Sequence, residues 1–210
     1  MILIGSGTTR PNMNIINTTS LVSSTPQDLY QYRCYAKTQP VITDSRCSYW
    51  YLNANEVGCF TGDGKVFSDF EVCVEILGYT PETRTSTYVR GTDLPYLNGC
   101  STKQLIPPNR SGDPTWQLLQ MAPNTTEQKH HVHSTARIVY VVSGEGKSIV
   151  GMPGNQEEYD LKPGMVLILN KMEPHHFISG VNGLLVAPLH VFSTGTNEFN
   201  HPMFAGTHLI

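Results

Sequence analysis

No stretch of this 210-residue chain carries a sustained helical period. In windows of a dozen residues the apolar side chains do not recur every three or four positions. Instead, short β-branched and aromatic runs alternate with Gly, Pro and Asn almost throughout. A chain patterned this way has no amphipathic stripe with which to bury a helix, so it is expected to be all-β. The one predicted exception is a helical turn at 24–32, where Thr25 can cap and Pro26 can take the first helical position.

In the first half, strands are expected at 47–52, 70–77 and 85–89, with turns at Gly62-Asp63-Gly64 and Leu97-Asn98-Gly99. Residues 101–114 gather Pro107-Pro108, Asn109 and Gly112-Asp113-Pro114, and read as a connection between two β units. Beyond it, strands are expected at 116–121, 129–134, 137–142, 147–151, 166–169, 175–179 and 184–192, with Gly144-Glu145-Gly146 and Pro163-Gly164 as turns. Short strands at this spacing fit a sandwich or closed barrel better than an open sheet. The chain divides into a tail at 1–25, a β-rich region at 26–110, a barrel at 111–195 and a polar tail at 196–210, expected to pack on the outside.

Fourteen Lys and Arg against 17 Asp and Glu give a formal charge of -3, and no basic run marks a nucleic-acid or anionic-membrane surface. A small-molecule ligand is the expectation. Residues 1–7 are apolar but brief and lack a basic start, so they read as neither signal peptide nor membrane span, and a cytoplasmic location is the default. The five cysteines are odd in number, contain no CxxC pair and all precede the first histidine. They read as buried free thiols rather than a disulfide framework or a zinc–thiolate site.

All eight histidines follow residue 129, so imidazole chemistry is confined to the last part of the chain. In His131-Val132-His133, strand alternation points both rings to one face, where they converge, and Val132 to the other. Two antiparallel excursions would bring His175 beside them. His130 and His176 adjoin these residues and fall on the opposite face, as surface groups or, second, as groups that support the ligands from behind. His190 lies in an apolar segment and reads as a core or rim histidine rather than a further ligand, and His201 and His208 as solvated tail residues.

At these positions the segment from Thr125 to Ser179 resembles the cupin superfamily, whose two motifs are separated by a variable loop. The first motif has Gly, HxH, Glu and Gly, and the corresponding residues here are Thr125, His131, His133, Arg137 and Gly144. The second has Gly, Pro, Gly, His and Asn, against Gly164, Asn170, Met172, His175 and Ser179. All three histidines are retained at the family's spacing, while Arg137 stands in the place of the carboxylate ligand. A guanidinium stays charged and cannot ligate a metal.

The resemblance implies a cupin-type jelly-roll β-barrel with an additional N-terminal β-rich region. That region is either a degenerate second cupin-like unit or a set of strands that extend and dimerise the first. The implied site is a single divalent ion (Fe, Zn, Ni, Cu or Mn) on His131, His133 and His175. With no anionic protein ligand, the ion would keep its double charge and attract an anion, and an inward Arg137 would add a second attraction. Arg137 and Tyr140 are the candidate catalytic residues, although Tyr140 differs in parity from Arg137 and would need a bulge to face the ion. Glu173, just before His175, is a loop carboxylate near the site, and Gln120 a candidate polar contact on the strand that enters the barrel. The expected function is a mononuclear metal-dependent enzyme, dioxygenase-like, acting on a small anionic or enolisable substrate. The alternatives are a lyase or isomerase using the metal as Lewis acid, and a non-enzymatic small-molecule binder. By resemblance the protein is a homodimer.

Overall fold

The computed structural model describes residues 14–16, 22–23, 31–37, 40–78, 80–87, 91–109, 113–191 and 207–209. The regular secondary structure among them is strand, apart from one 3-10 turn at Leu97–Gly99. Among them no helix is long and apolar enough to cross a membrane. Of the helical turn expected at 24–32, residues 24–30 lie outside the described residues, and Tyr32 opens the strand Tyr32–Ala36 instead.

The barrel is one ten-stranded antiparallel sheet. Its path runs through Asn14–Ile16, Val166–Leu169, Ala136–Val150, His175–Val191, Thr115–Met121, Ser101–Ile106 and Leu94–Pro95. His131–His133 pairs with both His175–Val191 and Thr207–Leu209, and Glu157–Leu161 with Ala136–Val150. Two segments read as tail therefore carry strands of this sheet: Asn14–Ile16 at one edge, and Thr207–Leu209 beside the HxH strand. Ser101–Ile106, read as part of a connection, pairs along Thr115–Met121 as a strand, and the connection is reduced to the residues that follow it.

The expected turn at Gly144-Glu145-Gly146 is a bend inside one long strand. Ala136–Val150 pairs with the 17-residue His175–Val191 over nearly its whole length, with register shifts between Val141 and Ser143 and between Gly144 and Gly146. Gly144 has φ of 82°, and a Cβ there would lie 2.2 Å from the carbonyl oxygen of Gly183. Only glycine meets both demands. Such bulges bend a long strand, so that its two halves border different parts of the barrel.

A six-stranded antiparallel sheet precedes the barrel, in the order Val22–Ser23, Tyr32–Ala36, Val72–Leu77, Cys47–Leu52, Glu56–Thr61 and Arg84–Thr87. Alternation sends Trp50, Leu52, Val72 and Val74 from it, and Trp116, Leu118, Ile138, Val166, Ile168 and Leu189 from the barrel, into one shared apolar layer. The other face holds Tyr49, Tyr51 and Phe70, packed with Tyr35, Phe60 and Phe67 and with Val41 of a small hairpin pair. Both faces of Cys47–Leu52 are thus covered, which explains why all six residues are buried and why all but Ser48 are Cys, Leu or large aromatics. The interior of this N-terminal unit is filled by stacked and edge-on rings and contains no histidine. All five cysteines are buried free thiols. Burial pushes the Cys34 thiol up to about 12, which keeps it protonated and inert.

Candidate metal centre

The barrel interior is lined by the alternate residues of the same strands, among them Leu119, Met121, Val139, Val141, Leu167, Leu169, Phe177 and Val186. At one end of this lining the apolar residues give way to imidazoles. His131 and His175 are direct cross-strand partners, and His133 lies two positions along on the same face. One ring nitrogen from each of His131, His133 and His175 lies within 4.8 Å of the others, and all three side chains are buried. The HxH spacing and the distant His175 thus meet at one point.

Their tautomers are set by the backbone. His131 Nδ1 donates to the Lys129 carbonyl at 2.9 Å, and His175 Nδ1 to the Glu173 carbonyl at 2.7 Å. Each keeps its Nε2 lone pair for the interior, the arrangement that outer hydrogen bonds impose on ligating histidines. His131 Nε2 lies 3.1 Å from His133 Nε2 and 3.1 Å from the Gln128 amide nitrogen. Two nitrogens bound to one ion at about 2.1 Å stand no more than about 4.2 Å apart, so the 3.1 Å spacing fits a shared metal. Burial pushes His131 down to about 4 and His133 and His175 well below the ordinary histidine range, with the charge of Arg137 adding to each. The rings are therefore neutral donors at neutral pH, as metal ligation requires.

Arg137 is 3% exposed and faces the interior, directly opposite His190 on the neighbouring strand. Its Nη1 donates to Thr135 Oγ1. His190 is buried as well, and its pKa is held well below the ordinary value by burial first and by Arg137 second. Tyr140 does not join this group. Register between Arg137↔His190 and Tyr140↔Ala187 is unbroken, so no bulge reverses its parity, and Tyr140 packs against the layer between the sheets. The Glu173 carboxylate accepts from the Asn170 backbone at 2.8 Å and shapes the loop, so Glu173 supports His175 through its carbonyl. Gln120 is exposed and accepts from Thr92, whereas Gln117 of the same strand is buried. His130 and His176 pair on the far face, their Nδ1 atoms 2.8 Å apart. His201 lies outside the described residues. His208 lies in Thr207–Leu209, of which only the backbone pairing is described.

Sequence reasoning missed Glu127. Its carboxyl is 2% exposed and pushed up to about 7 by burial, against the pull of a backbone hydrogen bond, the Arg137 charge and the Gln128 side chain. Nothing in the local pattern Thr-Thr-Glu-Gln-Lys marks it as buried. Its place depends on pairing across the fold, where its backbone donates to the Phe177 carbonyl at 3.0 Å. Two of the motif departures also explain one another: Thr125 N donates to Ser179 Oγ at 2.9 Å, so the residues replacing the family's Gly and Asn are bonded together. Met172, in the place of a motif glycine, keeps a left-handed φ of 60°.

Residues 117–187 match the Cupin_2 family model, described as a cupin domain. This segment of the barrel is a cupin domain. Two solved structures extend the likeness beyond it. The 11S allergen from Cocos nucifera is 9% identical, with a TM-score of 0.55 over 89% of this chain and 91% of that one. Salicylate 1,2-dioxygenase from Pseudoaminobacter salicylatoxidans, solved as adducts with gentisate, is 8% identical, with a TM-score of 0.50 over 78% and 68%. At these identities the likeness is one of fold. The coconut match reaches well past the cupin domain, so the N-terminal sheet belongs to the shared architecture. No curated protein matches the chain in sequence.

The pH dependence of the cupin domain follows from its buried imidazoles. His131, His133, His175 and His190 protonate near 6.5 when unfolded but only at much lower pH in the fold. The stability of metal-free protein is thus fully present above about 6.5 and is lost as pH falls below it. Glu127 acts in the opposite sense, because its raised pKa lets the fold hold a proton that the unfolded chain releases between 4.5 and about 7. Four groups outweigh one. Melting temperatures of chelator-treated protein should fall steadily from pH 7 to pH 4.5, and a flat or rising profile would contradict this assignment.

Proposed function

We propose that the protein is a mononuclear metal-dependent cupin enzyme of dioxygenase-like chemistry, in which His131, His133 and His175 hold one divalent ion and a small anionic or enolisable substrate binds beside it. The observation that carries this reading is the convergence of three buried, neutral imidazoles on the same interior wall as a buried arginine. A bound divalent ion would supply Lewis-acid polarisation and, where it is redox-active, activation of dioxygen next to the substrate. The residues supply the rest. Arg137 attracts and orients the anion, the carbonyls of Lys129 and Glu173 fix the rings, and Val139, Val141, Leu167, Leu169 and Phe177 exclude water. Gentisate, which carries a carboxylate beside a hydroxyl, is a substrate type this arrangement suits.

Elemental analysis of protein purified without added metal, followed by oxygen uptake with hydroxy- and keto-acids, tests the reading. Iron with oxygen consumption supports it, and less than a tenth of an equivalent of any transition metal refutes it. A second reading, a lyase or isomerase, is favoured by Glu127, whose buried carboxyl with a pKa near neutrality suits a general acid or base. Turnover under nitrogen with zinc or nickel would select it. In either case Arg137→Glu should cut kcat/KM by about 100-fold or more, mainly through KM for the anion, since it exchanges attraction for repulsion beside the ligands. Unchanged kinetics in that variant would remove Arg137 from the site.

A further inference from the structure

One polar side chain of the barrel interior has no hydrogen-bond partner. Gln117 is 1% exposed, and neither its Oε1 nor its Nε2 is satisfied. Its strand settles where it points. Trp116 and Leu118 enter the layer between the sheets, Leu119 and Met121 line the barrel interior, and alternation places Gln117 with the latter. Thr115, two positions before it, is opposite His190, which is opposite Arg137. Gln117 therefore stands one row along from the Arg137 and His190 row, about 7–8 Å diagonally from His190 and within reach of a long side chain. Its own row holds Pro188 and Val139 on one side and Gln104 on the other, and the Gln104 amide is turned to Thr115 Oγ1, to which its Nε2 donates at 3.4 Å.

A buried carboxamide with both ends unmade is costly, and native cores seldom retain one without a reason. Leucine or methionine would fill the same space without that cost. An amide presents an acceptor and a donor together, and the small neutral group that complements both is a hydroxyl. Arg137, one row away, calls for an anion. We infer that Gln117 is a specificity-determining contact for a hydroxyl at the end of the substrate remote from its carboxylate, which makes the substrate class a hydroxylated carboxylic acid with two polar ends. This rests on the anion-binding reading of the centre. A compound of this class lies with its carboxylate toward Arg137 and the histidines and its hydroxyl on Gln117. The deoxy parent leaves the amide unmade, and the site rejects it for that reason.

The test is calorimetric titration of the purified protein with two probe pairs, benzoate against 4-hydroxybenzoate and butanoate against 4-hydroxybutanoate. In wild type the hydroxylated member of at least one pair should bind 10-fold or more tighter than its parent. In Gln117→Leu that ratio should fall below 2-fold while affinity for the parent is kept. Without probe, Gln117→Leu should melt at or above the wild-type temperature, since no hydrogen bond is lost. Absence of a hydroxyl preference in both pairs, a preference that survives in Gln117→Leu, or a melting temperature lowered by several degrees each overturns the inference. Metal content of the same preparations separates the two ideas. One bound metal without hydroxyl preference leaves the proposed function standing and removes Gln117, whereas hydroxyl preference without bound metal does the reverse.

Discussion

His131→Ala, His133→Ala and His175→Ala should each lower metal affinity by at least about 100-fold, the upper end of what losing a mere outer-shell partner of a ligand costs. Protein carrying one equivalent of metal in the wild type should then carry less than a tenth after dialysis. Each ring supplies one of only three donor atoms that meet within 4.8 Å, and no carboxylate in the described residues joins that cluster to take its place. The loss should not come from unfolding. Removing a buried imidazole that burial already keeps neutral leaves a small cavity but no stranded charge. Far-UV circular dichroism should therefore match wild type in all three variants. Retention of a full metal equivalent in any of them would show that its ring is not a ligand.

Trp50→Ala should be the most damaging single change away from the centre. Trp50 is fully buried in the layer between the N-terminal sheet and the cupin barrel, and its Nε1 donates to Ser48 Oγ at 3.0 Å. Truncating a buried tryptophan costs about 3–5 kcal/mol, a large share of the 5–15 kcal/mol typical of a folded domain. The strands that receive Trp50 from the barrel side are those that send Arg137, Val139 and His190 inward on their opposite face. Urea unfolding should consequently remain one transition in the variant, shifted to lower urea, with metal release coincident with loss of strand signal. Two separated transitions would show that the N-terminal sheet and the barrel are energetically independent.

Most of the centre was legible in the chain because its logic is local. HxH needs only strand alternation, and Val166–Leu169 is an uninterrupted apolar run, as is Cys47–Leu52 but for Ser48, with both faces packed. Features set by pairing across the fold were not. Gly144 and Gly146 carry the same signal whether they close a hairpin or bend one strand, and only the close approach of Gly183 and Ile178 distinguishes the two. Pro107-Pro108 made the whole of 101–114 look like a connection, although Ser101–Ile106 before it is a strand. Glu127 and Gln117 look like ordinary surface polar residues until register places them inside. Parity separates Gln117 from Gln120, but which face meets the interior is set by packing across the fold, which buries Gln117 and leaves Gln120 exposed.

The strand Thr207–Leu209 borders the three-residue HxH strand, pairing His131 with Leu209 and His133 with Thr207. A β-ladder that short is not stable alone. The HxH strand is therefore braced by a segment distant in the sequence, and the backbone that positions His131 and His133 is complete only once that segment has docked.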